Sequence, residues 1–149
     1  MRKIFIGAGH SNKVGKDRGA AGNGYIEGEL AVELRDLIVS ELKKMGIAPI
    51  IDENQNILSE TITKFKNITS SNSIVLDIHW NAATPKATGT EVLIPKEFTT
   101  FEKTLAEKIA LTISETLGIV KRGNNGVRTE AESHHGRLGW MRLNGENIL

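Results

Sequence analysis

The sequence predicts an α/β fold, a mostly parallel twisted sheet with helices on both faces. Three observations carry that expectation. Short apolar runs alternate with longer helical patterns, and a β-α-β-α-β order gives right-handed crossovers between parallel strands. Two long stretches repeat apolar residues at helical spacing and end on glycine. Ser73 to Trp80 (SIVLDIHW) is dense in β-branched and apolar residues, as buried strands are.

Taken in order, Lys3 to Gly7 reads as a short buried strand, and the glycine-rich stretch from Gly7 to Gly24 as a loop. From Leu30 a helical period places Leu30, Leu34, Leu37, Ile38, Leu42 and Met45 on one face, with Gly46 suited to the left-handed position past the last turn. Ile47 to Ile51 reads as a strand whose Pro49 favours an edge. Ser59 or Thr61 is a candidate cap for a second helix with Ile62, Phe65 and Ile68 inward. Thr90 to Ile94 alternates as a strand. A third helix runs from about Thr99 to Leu117, with Phe101, Leu105, Ile109, Ile113 and Leu117 on one stripe and Gly118 ending it. Lys121 to Arg128 reads as a turn-rich connector, Gly139 to Leu143 as a further strand, and Asn147-Ile148-Leu149 as the start of another.

The chain of 149 residues is expected to form one domain, 1–149. Its 39% hydrophobic and 25% charged residues are ordinary for a globular protein. Lys and Arg number 19 against 18 Asp and Glu, a net charge of +1. Such a balance gives no bulk attraction to nucleic acid or to a membrane surface. There is no cysteine, so disulfides, thiol nucleophiles and thiolate metal sites are excluded, and any metal must be held by His, Asp or Glu. The apolar run Ile4-Phe5-Ile6 is far shorter than a signal-peptide core. No stretch approaches the ~20 apolar residues of a membrane span. The expectation is cytoplasmic synthesis without a signal peptide and no membrane insertion.

Open parallel sheets bind ligands beyond the carboxyl ends of their strands. His10 follows the first strand, His79 ends the central strand, and Glu27 opens the first helix. The topology brings all three to one sheet edge. Two imidazoles and a carboxylate form a catalytic zinc set with a fourth position for water, and the chemistry it favours is amide hydrolysis. On spacing alone Glu29 and Glu33 compete with Glu27, which also suits the positive end of the helix dipole. Gly7-Ala8-Gly9 resembles the start of a G-x-G-x-x-G phosphate loop, but Asn12 stands where the third glycine belongs and no helix opens there.

The ordered set Ile6-Gly7-Ala8-Gly9-His10, Arg18-Gly19-Ala20, Gly24-Tyr25-Ile26-Glu27, Asp77-Ile78-His79-Trp80-Asn81-Ala82 and Gly89-Thr90-Glu91-Val92 resembles the zinc-dependent N-acetylmuramoyl-L-alanine amidases of the type 3 group. These are peptidoglycan hydrolases of cell-wall remodelling and of phage endolysins. The resemblance implies one Zn2+ per chain on His10, Glu27 and His79, with the Tyr-x-Glu frame favouring Glu27. It implies cleavage of the amide between N-acetylmuramic acid and L-alanine in peptidoglycan. It also places Asn81 near the site as a substrate contact, and Glu91 in a role at least as readily structural. Action on the cell wall follows from the same likeness, and the lack of a signal peptide favours a phage endolysin or prophage lysin, with phage-mediated release.

One departure stands out. The family's last core strand carries a second Glu, the general acid/base, which is expected just past the apolar Asn147-Ile148-Leu149. The chain is therefore expected to be C-terminally incomplete, to lack its last strand and helix, and to leave an open sheet edge through which copies associate. Glu146 is off register as a substitute, and Glu130 and Glu132 fall in a connector. The alternative function is a catalytically impaired module that binds zinc and muropeptide. His134, in the polar segment Ser133 to Arg137, is the candidate rim residue for substrate; Arg128 and Arg137 are candidates for the acidic groups of a stem peptide. Trp80 and Trp140 read as packing residues.

Overall fold

The computed structural model describes residues 2–81 and 87–149; Ala82 of the H-x-N-A motif lies outside them. The chain divides into two compact units, one of Met1–Ala82 with Leu143–Gly145 and one of Ala83–Arg142 with Glu146–Leu149.

In the first unit, β1 (Lys3–Gly7) pairs in parallel with β4 (Ile50–Ile51) on one side and β5 (Ser73–Asp77) on the other. Phe5 stands opposite Ile50 and Val75. β4 ends the strand order, where the missing N–H of the preceding Pro49 breaks no ladder. Successive residues of β1 face opposite sides. Ile4 and Ile6 pack with Ala31, Val32, Leu34, Ile38 and Val39 of α1 (Glu27–Lys44). Phe5 meets Phe65 of α2 (Leu58–Lys66) edge-on, with ring centroids 5.3 Å apart. Helices thus cover both faces, as predicted.

Several details differ from the sequence reading. Between β1 and α1 lies a hairpin, β2 (Ala21–Gly22) and β3 (Tyr25–Ile26), turned by Asn23 and Gly24 at φ 52° and 82°. Two positive φ values in an Asn-Gly pair match the mirror-image turn that suits strand twist. The buried face of α1 centres on Ala31, Val32, Arg35 and Val39, whereas Leu37 and Met45 are 59% and 73% exposed. Arg35 is inside because Asp52 is there too: their Nη1–Oδ1 distance is 2.6 Å. Asp52 also accepts from Thr61 Oγ1 at 3.1 Å and from the Ala8 N–H at 3.3 Å. Neither Ser59 nor Thr61 caps α2. Both lie within it, and the Glu60 carboxylate takes up the Ile57 N–H instead. Ile68 lies beyond the helix and is exposed.

In the second unit, β6 (Val92–Ile94) pairs in parallel with β7 (Val127–Thr129), and α3 (Thr100–Leu117) packs on both. Thr99 caps α3 by accepting from the Glu102 N–H, the Glu102 side chain returns a bond to the Thr99 N–H, and Gly118 closes the helix at φ 65°. No residue of the expected stripe is fully inside: Leu105, Ile109 and Ile113 are half-buried and Phe101 and Leu117 exposed, while the buried positions are Ala106 and Ala110. β7 emerges from the supposed connector. β8 (Glu146–Ile148) forms where a strand was expected, and Leu149 exchanges backbone bonds of 2.7 and 3.0 Å with Leu93. Gly139 to Leu143 is not a strand; Trp140–Arg142 is a turn of 3₁₀ helix with Trp140 fully buried. Glu130 is not a loose connector residue either. It is buried and accepts from the Leu138 N–H at 2.8 Å, the Lys96 N–H at 3.4 Å and the Arg142 guanidinium.

Candidate metal centre

His10 and His79 are carried by the ends of the paired strands β1 and β5. The pairing continues one step past the ladder, with the Ile78 N–H donating to Gly7 O at 3.2 Å, so both chains leave the sheet side by side. Gly9 turns the chain at φ +67°, and a Cβ there would stand 2.6 Å from the His79 ring and from Ile78 O. The glycine is needed for both reasons, and its contact explains why no phosphate loop forms: the space over Gly9 holds an imidazole. Glu27 arrives by the hairpin. The first free N–H groups of α1 are satisfied by the chain itself, Glu27 N–H to Ala20 O at 2.8 Å and Gly28 N–H to Arg18 O at 3.0 Å.

These steps bring three side chains together. Glu27 Oε1 lies 3.1 Å from His79 Nδ1 and 3.5 Å from His10 Nε2. The two imidazoles meet edge-on, with centroids 4.9 Å apart and planes at 84°. One donor atom from each of the three falls within 4.8 Å of the others. A tetrahedral ion with bonds of about 2.0–2.1 Å has donor–donor edges of about 3.3 Å, so the two distances to Glu27 bracket that edge. The donor types and spacing fit a divalent metal ion. Gly19, at φ +70°, walls the other side; a Cβ there would lie 2.6 Å from Glu27 Oε2 and 2.7 Å from His10 Cδ2.

Electrostatics define the donors further. Burial pushes the Glu27 carboxyl up, but the bonds from His79, the Ala20 N–H (2.9 Å) and the Trp80 N–H (2.9 Å), with His10 nearby, bring it down to about 2. Burial likewise pulls His79 down, and the carboxylates of Asp77 and Glu27 overcome that and push it up to about 10. Asp77 is the residue that sequence reasoning missed. Its Oδ2 lies 3.0 Å from His79 Nε2. The signal was present, since residues two apart at a strand end project the same way.

Glu29 is exposed and bound to Arg18, and Glu33 is exposed, so the carboxylate in the cluster is Glu27. Trp80 is 45% exposed beside His79 and is not a packing residue; only Trp140 is. Asn81 is exposed. His134 belongs to the second unit, exposed and edge-on to His135 with centroids 5.3 Å apart. There too Glu91 pairs with Arg128 at 3.2 Å and Arg122 at 3.7 Å, a structural arrangement that engages Arg128.

The fold and the cluster together define a mixed α/β protein with a two-histidine, one-carboxylate centre at its strand ends. The chain matches the N-acetylmuramoyl-L-alanine amidase family over residues 4–144, and it belongs to that family. It is similar to a solved protein of Neisseria meningitidis assigned provisionally as an N-acetylmuramoyl-L-alanine amidase, with 26% identity and a TM-score of 0.73 over 99% of this chain and 79% of that one. The fold is shared with the amidase AmiC2 of Nostoc punctiforme, with 20% identity and a TM-score of 0.75 over 99% of this chain and 77% of that one. Among curated proteins, YqiI of Bacillus subtilis (strain 168) is 27% identical over 100 residues, 65% of this chain and 46% of YqiI. The match thus spans less than half the length of that relative.

Proposed function

We propose that the chain is a zinc-dependent hydrolase of the amide between N-acetylmuramic acid and L-alanine in peptidoglycan, acting on the cell wall. Family membership supports the amide. The observation that carries the metal is the convergence of one donor atom each from His10, Glu27 and His79 within 4.8 Å. A zinc ion held by these atoms supplies polarisation of the scissile carbonyl and activation of water at neutral pH. Glu27 remains a carboxylate because His79 and two backbone N–H groups hold it, and the backbone bonds fix its direction. Gly9 and Gly19 keep the imidazoles and the carboxylate close by bringing no side chain of their own. In the same reading Asn81 and His134 are substrate contacts.

The test uses purified peptidoglycan incubated with the zinc-loaded chain. New L-alanine amino termini should appear without new reducing sugar ends. Chelation, His10→Ala or His79→Ala should abolish them, and elemental analysis should find about one zinc per wild-type chain. Protein that retains no zinc refutes the reading. Zinc and muropeptide binding without new amino termini would assign the chain instead as a binding module of the same fold.

A further inference from the structure

We infer that Asp77 is a positioning residue for the metal centre, holding the His79 ring so that Nδ1, and not Nε2, meets the cation. The inference rests on the zinc reading above and extends it to a residue outside the donor set. Asp77 is the last residue of β5 and stands opposite Gly7, so its backbone is set by the five-residue ladder between β1 and β5. Its side chain is fully buried. One oxygen, Oδ2, lies 3.0 Å from His79 Nε2; the other, Oδ1, has no hydrogen-bond partner among the described residues. Burying a carboxylate is costly unless a charged or donating partner compensates it, and the described partner here is the imidazole.

A carboxylate only accepts hydrogen bonds. The ring hydrogen of a neutral His79 is therefore held on Nε2, which directs the Nδ1 lone pair toward Glu27 Oε1 at 3.1 Å. His10 approaches the same oxygen with Nε2, at 3.5 Å. The two imidazoles thus present different nitrogens, and the 84° between their planes goes with that asymmetry. Metal-bound histidines commonly give their second nitrogen to a carboxylate, which fixes both tautomer and orientation. Asn at this position offers both a donor and an acceptor, so it no longer dictates which nitrogen carries the hydrogen.

Two measurements test this without reference to turnover. Long-range proton–nitrogen NMR of the zinc-loaded wild-type chain should show His79 protonated at Nε2 and metal-shifted at Nδ1. Zinc competition against a chromophoric chelator should show Asp77→Asn weakened about 10–100-fold with unchanged far-UV circular dichroism. Metal on Nε2 of His79, or a folded Asp77→Asn that holds zinc as tightly as wild type, overturns the inference. Should the variant not fold, the wild-type spectrum decides alone. A wild-type chain that binds no zinc is a different pattern, and it removes the metal reading together with this inference.

Discussion

The contacts of His79 with Asp77 and Glu27 make the stability of the metal-free protein depend on pH with a sign opposite to that of metal binding. Folded His79 is pushed up to about 10 from an ordinary 6.5. Between those values the folded chain holds one proton more than the unfolded chain, so stability falls as pH rises, by about 1.4 kcal/mol per unit. Between pH 7 and 8.5 the loss is about 2 kcal/mol by that slope. On the acid side Glu27, brought down to about 2 from 4.5, contributes above 4.5 and loses its contribution as pH falls toward 2. The two shifts share the His79–Glu27 contact and are not added; they place its full effect between pH 4.5 and 6.5. Zinc requires His79 without its Nδ1 proton, so its affinity should rise about tenfold per pH unit over the same alkaline range. The assay is urea unfolding followed by circular dichroism at pH 6, 7, 8 and 8.5, with chelator or with zinc. Wild type with chelator should lose stability across the series, and wild type with zinc should not. Glu27→Gln with chelator should have a shallower slope. A flat chelator profile would refute the assignment of that proton to His79, and an identical slope in Glu27→Gln would refute Glu27's part in holding it.

Three further outcomes follow from named contacts. Arg35→Met leaves the buried Asp52 carboxylate without its cationic partner and should cost about 3–5 kcal/mol in chemical denaturation, while Arg35→Met/Asp52→Leu should recover part of that. Gly19→Ala forces a side chain onto a left-handed backbone and against Glu27 and His10; it should lower stability by about 1–3 kcal/mol and weaken zinc binding in the same chelator competition. For Glu130, burial pushes the carboxyl up, but the Leu138 and Lys96 N–H groups and Arg142 hold it below the ordinary value. Its contribution is therefore present above that value and lost as pH falls, so wild type should outlast Glu130→Gln at pH 7 by about 2 kcal/mol and converge with it under acid in the same denaturation assay.

The parts of the site legible in the sequence are those fixed by strand direction. His10 and His79 follow the two strongest buried strands, and parallel pairing alone sets them side by side. Glu27 was harder, because its position depends on a hairpin with strands of two residues each, too short to show alternation. The Asn23-Gly24 pair was the available signal, lost among the surrounding glycines. Periodicity misjudged α1 for a different reason: it ranks Arg35 as a surface residue, and its burial is made tolerable by Asp52 and Asn54, far along the chain, together with the neighbouring Asp36. The same non-local pairing hid Glu130, whose partners at Lys96, Leu138 and Arg142 lie on three separate segments. Asp77 shows the rule from the other side. A carboxylate inside a strand pattern reads as a blemish in an apolar run, yet β5 ends there because the chain turns to deliver His79. Residues that hold a metal are recognisable by type. Those that aim them are recognisable only once the pairing of β1 and β5 says which side chains share a face, and that makes Asp77→Asn more informative about the centre than removal of any of the three donors.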